Sequence, residues 1–79
     1  MDPTELARLR WRCRRGLLEN DLILERFMQA RGTRLSDDEV AGLDRLLRLS
    51  DGELWELLAG RAEPADAALT PLIAAMRGA

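Results

Sequence analysis

The chain has 79 residues, a length that suits one domain, residues 1–79, with room for a modest core but not for a deep catalytic pocket. Its formal net charge is −2, whereas a nucleic-acid-binding domain is normally basic. It has no histidine and one cysteine, Cys13, which excludes an internal disulfide and removes the commonest general base and metal ligand. We therefore expect a protein-binding domain that is not an enzyme and holds no metal.

The first two helices are predicted on either side of Gly16. Asp2–Pro3 is typical of a helix start, and apolar residues at steps of three and four extend helix 1 to about Cys13. Helix 2 is predicted over Leu17–Ala30, with Gly32 as its C-cap. We expect its inward face to consist of Leu18, Leu22, Ile23, Phe27 and Met28.

Two segments of the capping-box type, Ser36–Glu39 and Ser50–Glu53, predict the starts of helices 3 and 4. Gly60 should end helix 4. Pro64–Asp66 suggests the start of helix 5, although Pro71 means that this helix either begins later or kinks there. The predicted inward residues of these three helices are Val40, Leu43, Leu46, Leu47, Leu54, Leu57, Leu58, Leu69, Leu72, Ile73 and Met76. No segment alternates with period two, so the fold class is predicted to be all-α, a small five-helix bundle.

The segment Arg14–Glu19 places two arginines, a glycine and a carboxylate at the break between helices 1 and 2. On local grounds, Gly16 ends a helix by adopting a positive φ, and Glu19 lies in a first helical turn that favours acids. The same residues would also suit a surface that contacts another macromolecule, where Gly16 permits close approach of the backbone. The local sequence leaves both interpretations open.

An arginine stripe gives a second candidate surface. Arg8, Arg12 and Arg15 recur at steps of four and three, which predicts that they share one helical face. Trp11 lies nearby and is either an exposed anchor of this surface or a core residue. Cys13 is interpreted as a small buried hydrophobe, and Trp55 as either half-buried or an exposed contact.

The segment Trp11–Asp21 resembles the signature of the SdhE/YgfY-type succinate dehydrogenase assembly factors. The hallmark of that family is Arg-Gly-x-x-Glu, preceded by a tryptophan and another arginine. The segments Leu35–Glu39, Asp51–Leu54 and Pro64–Leu69 resemble later parts of the family in the same order. The similarity covers nearly the whole chain. One departure is Asn20, which stands where many members have an apolar residue.

The resemblance implies an assembly chaperone that binds the flavoprotein subunit of succinate dehydrogenase, or of fumarate reductase, and promotes covalent attachment of FAD to it. FAD would not be bound tightly by this chain. The implied partner-binding residues are Arg15, Gly16 and Glu19, with Arg8, Trp11, Arg14 and Asp21 as secondary contributors. The alternative is an antitoxin-like or regulatory adaptor that binds another protein. We further expect a cytoplasmic monomer that neither binds nucleic acid nor inserts into a membrane.

Overall fold

The computed structural model describes residues 2–78 and confirms the all-α prediction, because these residues form helices and no strand. The five α-helices are α1 (Pro3–Arg12), α2 (Leu18–Arg31), α3 (Asp37–Leu47), α4 (Asp51–Leu58) and α5 (Thr70–Arg77). Short 3₁₀ turns at Gly32–Arg34 and Ala67–Leu69 precede α3 and α5. Among the described residues, no helix is both long and apolar enough to cross a membrane.

Side-chain caps fix the helix starts that the sequence predicts. Ser36 Oγ accepts a hydrogen bond from the Glu39 N–H at 3.1 Å, and the Ser36 N–H donates to Glu39 Oε1 at 3.0 Å. Ser50 and Glu53 form the same reciprocal pair at the start of α4. The hydrogen bond from the Ser36 backbone lowers the pKa of the Glu39 carboxyl. Each box satisfies two donors that would otherwise lack partners.

The core forms where α2 packs against α4 and α5, and where α3 closes over α5. Leucines dominate it, and the predicted inward faces of α3, α4 and α5 are confirmed with two residues, Val40 and Leu69, only half-buried. The largest fully buried side chains are Phe27, Leu24, Leu43, Leu46, Leu54, Ile73, Met76 and Asn20. Asn20 is the one polar side chain among the buried residues of the described range.

The predicted inward face of α2 is wrong at its N-terminal end. Leu18 is 65% exposed and Leu22 is 43% exposed, while Leu24 and Asn20 are fully buried. Apolar residues lie on two overlapping stripes of this helix, so spacing alone does not select between them. The stripe that includes Leu24 and Phe27 also includes Asn20, and its polar amide made that stripe look less like a core face.

Gly32 is the C-cap of α2, as predicted, but it acts through packing. Its φ of −54° is right-handed, so no left-handed turn is required of it. A Cβ at this position would lie 3.3 Å from Leu6 Cδ1 and 3.4 Å from Met28 Cε. Gly32 therefore lets the Leu6 side chain of α1 approach the end of α2 closely.

The alternatives left open for helix 5 are resolved in favour of a later start. Pro71 is the second residue of α5, where a missing N–H costs no hydrogen bond. The preceding 3₁₀ turn is capped by Asp66, whose Oδ1 accepts from the Ala68 N–H at 2.9 Å. Gly60, at a φ of +81°, follows α4 as predicted.

A pair of leucines tests the corrected face of α2. Replacement of buried Leu24 by alanine should lower the free energy of unfolding by about 2–5 kcal/mol, because it leaves a cavity. The same change at Leu22 should alter it by no more than about 0.5 kcal/mol. Urea unfolding followed by circular dichroism measures both, and equal losses would contradict the observed orientation of α2.

Candidate partner-binding site

The segment between α1 and α2 is a sharp loop built around Gly16. Gly16 has a φ of +96°, in the left-handed region that favours glycine. Because α1 ends at Arg12, Arg15 lies outside that helix, and the predicted shared face of Arg8, Arg12 and Arg15 is wrong. Arg12 instead turns to α3 and pairs with Asp44 at 2.7 Å.

The Arg15 side chain fastens this loop to the corner between α3 and α4. Its Nη1 donates to the Leu47 carbonyl at 2.5 Å, its Nη2 donates to the Leu49 carbonyl, and its Nε donates to Asp51 Oδ1 at 2.7 Å. Carbonyls at the end of a helix lack intrahelical donors, and a guanidinium supplies several in one plane. Arg15 is only 15% exposed in its side chain, so its charged group is used inside the molecule.

The start of α2 holds the same loop from the other side. Asp21 Oδ1 accepts from the Arg15 N–H at 2.8 Å, and its Oδ2 accepts from the Gly16 N–H at 3.2 Å. Asn20 is fully buried, and its Nδ2 donates to the Asp51 carbonyl at 3.0 Å. The amide is thus retained in the core because it binds the first residue of α4. Its Oδ1 has no hydrogen-bond partner within residues 2–78.

Asp51 is a site residue that the sequence interpretation missed. The sequence places it within a capping box and within a segment that resembles the family, and neither assigns it a role at this site. Its contacts with Arg15 and Asn20 join positions more than 30 residues apart. Its place as the first residue of α4, after the Ser50 cap, is the one local signal. That signal predicts a favourable helix dipole interaction but says nothing of a distant arginine.

The loop and the two helices that it joins present exposed residues of several kinds. Gly16, Glu19, Arg14 and Arg8 are exposed. Trp11 is 74% exposed, so its interpretation as a core residue is wrong. The role of these residues in partner binding stays a prediction.

Leu18 and Leu22 belong to the same exposed region, beside Glu19 at the start of α2. They are the large apolar side chains, together with Trp11, that residues 2–78 leave open to solvent. The sequence interpretation missed them because it placed them in the core. Their four-residue spacing on the helix that carries Glu19 was visible, but it was equally consistent with burial.

A shallow groove of about 340 Å³ runs between the end of α1 and the first turns of α2. Arg10 and Arg14 line one wall, Asp21 and Glu25 line the other, and Cys13 contributes to the lining. Burial raises the pKa of the Cys13 thiol to about 11, with Arg12 and Arg15 opposing that effect only in part. The prediction that Cys13 is a buried hydrophobe is confirmed, and a protonated thiol is a poor nucleophile.

Trp55 lies within α4. Trp55 is half-buried against the core, and the Arg61 guanidinium lies 5.8 Å from the centre of its ring. The alternatives for Trp55 are thus resolved as half-buried. Within residues 2–78, no group of three or more cysteine, aspartate or glutamate side chains could hold a metal ion.

A pair of glycines tests whether the backbone conformation of Gly16 is itself required. Gly16→Ala should destabilise the fold by about 1–2 kcal/mol, because an L-residue is strained at this φ. Neither Gly16 nor Gly52 has an atom within 4 Å of a built Cβ, so steric clash is absent from both variants. Gly52→Ala, inside α4, should stabilise by up to about 1 kcal/mol. Thermal or urea unfolding measures the stability of both variants. A Gly16→Ala variant as stable as the parent would contradict the strain assigned to this φ.

The internal role of Arg15 is tested in the same way. Arg15→Ala should lower the free energy of unfolding by about 2 kcal/mol or more, because it leaves two backbone carbonyls and a carboxylate without their donor. Arg12→Ala is the matched control, since it removes one exposed ion pair with Asp44 and should cost clearly less. Equal losses of unfolding free energy in the two variants would show that the Arg15 hydrogen bonds stabilise the fold no more than an exposed ion pair does.

Comparisons with known proteins agree with the resemblance seen in the sequence. A family described as the flavinator of succinate dehydrogenase matches residues 7–79. An FAD assembly factor SdhE from Ralstonia nicotianae is 53% identical over 72 residues, which cover 91% of this chain and 76% of the relative. A protein of the same name from Legionella pneumophila is 42% identical over 64 residues, which cover 81% of each chain. Another, from Methylococcus capsulatus, is 38% identical over 74 residues, which cover 94% of this chain and 89% of the relative.

These names describe assembly factors, so the prediction that the chain is not an enzyme is confirmed. The matched range contains the loop around Gly16, its anchors on α3 and α4, and all of α2 to α5. The chain belongs to the succinate dehydrogenase flavinator family.

Proposed function

We propose that this protein binds the flavoprotein subunit of succinate dehydrogenase and promotes the covalent attachment of FAD to that subunit. The observation that carries the proposal is the loop around Gly16, which is anchored from inside by Arg15 and Asp21 and left exposed on its outer side. A surface that is fixed before binding loses little conformational entropy when a partner docks. The family membership supplies the class of partner.

The proposed contact surface combines the exposed loop with its apolar neighbours. Gly16 presents backbone to open space, so a partner can approach closely where a side chain would stand. Glu19 offers a carboxylate from the first turn of α2, and Arg14 offers a guanidinium. Trp11, Leu18 and Leu22 add exposed apolar area, and tryptophan and arginine are residue types that often dominate binding energy.

Arg15 and Asp21 have a different part in this proposal. Both were predicted as partner-binding residues, but their polar groups are engaged within the chain. We assign them a positioning role, in which they hold Gly16 and Glu19 in place for the partner. Asp51 and Asn20 share that role through the corner between α3 and α4.

The chain contributes orientation to the flavin attachment and leaves the bond-forming chemistry to the partner. The flavin would supply the electron sink for its attachment to a histidine of the flavoprotein. This chain would hold the flavoprotein in a geometry that brings its reacting groups together, and correct orientation lowers a barrier by as much as roughly 7–11 kcal/mol in well-oriented systems. Glu19 and Arg14 would bind polar groups of the partner. FAD would be contacted through the flavoprotein, with no tight site on this chain.

Co-expression with the flavoprotein subunit tests the proposal. Covalent flavin is read as fluorescence in denaturing gels for the parent chain, Gly16→Arg, Glu19→Ala and the double variant Leu18→Ser/Leu22→Ser. Each variant should lower covalent flavin and capture of the flavoprotein in a pull-down, because each alters the exposed surface. The fumarate reductase flavoprotein is assayed in parallel to identify the partner.

Matched controls separate this surface from general damage to the protein. Gly52→Arg and Glu5→Ala place the same changes at other exposed positions and should leave flavinylation at the parental level. Circular dichroism confirms that each variant is folded. Parental flavinylation by both Gly16→Arg and Glu19→Ala would show that the proposed surface is wrong. Absence of any flavoprotein in the parental pull-down would favour the adaptor alternative.

A further inference from the structure

A second groove, of about 600 Å³, is formed by α3, α4 and the segment that leads into α5. None of its lining residues belongs to α1, to the loop around Gly16 or to α2. Its apolar lining comes from Leu46 and Leu57 of the core and from half-buried Leu49, Ala62 and Leu69. The volume falls within the range of about 300–1,000 Å³ that is usual for sites that enclose ligand groups.

The rim of this groove is strongly acidic. Four carboxylates line it, Glu53, Glu56, Glu63 and Asp66, against the single guanidinium of Arg45. Arg45 pairs with Asp66 at 2.5 Å, and Arg61 pairs with Glu56 at 2.9 Å.

Two carboxylates of the rim are left without a cation. Within residues 2–78, neither Glu53 nor Glu63 forms an ion pair, and Glu53 accepts only the capping hydrogen bond from the Ser50 N–H. That hydrogen bond lowers the pKa of Glu53, and the hydrogen bond from Arg61 lowers the pKa of Glu56. Among the described residues, two of the four rim carboxylates are thus paired with arginines and two are not.

We propose that this groove docks a cationic amphipathic helix of a partner protein. Its apolar residues would lie on Leu49, Ala62 and Leu69, and its lysines or arginines would lie beside Glu53 and Glu63. An added β-strand is not available as a binding mode, because residues 2–78 present no sheet edge. A groove between helices accepts instead the side chains that recur at i, i+3, i+4 and i+7 on one face of a helix.

Charge selects among the possible occupants of the groove. An anionic or neutral helix would leave the carboxylates of Glu53 and Glu63 facing like charge or apolar surface. A cationic helix would be attracted to them, which speeds its association and fixes its position along the groove. A small apolar molecule would fill the floor but make no use of the rim. The residues that line this groove differ from those of the proposed flavoprotein contact, although the Leu49 carbonyl also accepts a hydrogen bond from Arg15.

Two synthetic peptides test the proposal by NMR titration of the isotope-labelled full chain. One carries leucines at i, i+3, i+4 and i+7 with lysines on its flanks, and the other has glutamate in place of every lysine. The lysine peptide should shift the amide resonances of residues that line the groove, and the glutamate peptide should not. Glu63→Lys should weaken binding of the lysine peptide about three- to fivefold, as expected when one exposed attraction is replaced by a repulsion of similar size.

Glu5→Lys is the matched control, because it makes the same change of charge at an exposed glutamate of α1 that lines neither groove. It should leave the affinity for the lysine peptide within error of the parent, and circular dichroism should show both variants folded. The proposal is overturned if both peptides bind equally, if neither shifts the groove resonances, or if Glu5→Lys weakens binding as much as Glu63→Lys does. Groove resonances that shift on dilution of the protein alone would assign the groove to a second copy of the chain and would equally overturn it.

Discussion

The guanidinium of Arg15 holds together three parts of the molecule that are distant in sequence. It donates to the carbonyl of Leu47 at the end of α3, to the carbonyl of Leu49 just beyond it, and to the side chain of Asp51 at the start of α4. Its own backbone N–H donates to Asp21 of α2. The end of a helix needs donors, and the start of the next one here offers a carboxylate. One side chain satisfies both needs because its donors lie in a fixed plane. The loop around Gly16 consequently has little freedom to move away from the α3–α4 corner.

This arrangement explains why a fully buried asparagine lies in an otherwise apolar core. Asn20 sits one residue before Asp21 and reaches the carbonyl of Asp51, so it adds a second link between α2 and the same corner. A leucine there would bury more apolar area but would leave that carbonyl without this donor. The core thus gives up apolar packing at one position for a polar contact that fixes the relative placement of α2 and α4.

Local interactions were predictable from the sequence, and contacts between distant segments were not. The capping boxes at Ser36 and Ser50 could be read directly, because both partners lie within four residues. The inward faces of α3 to α5 followed from periodicity. The orientation of α2 did not, because its exposed leucines and its buried Asn20 reverse the usual pattern. Arg15 was assigned to an exposed surface, since nothing near it in the sequence announces acceptors 32 to 36 residues away.

The alternation of inner and outer residues gives a physical reason for the spacing of Arg-Gly-x-x-Glu. Arg15 is fixed to the α3–α4 corner, and Asp21 is fixed to the loop, so Glu19 lies between two anchored positions. Its side chain is exposed, yet the backbone that carries it is ordered by the fold. Folding has therefore already met part of the entropic cost of placing this carboxylate against a partner. A change of one residue in that spacing would rotate Glu19 by about 100° around α2, so both the charge and its position depend on the anchors on either side.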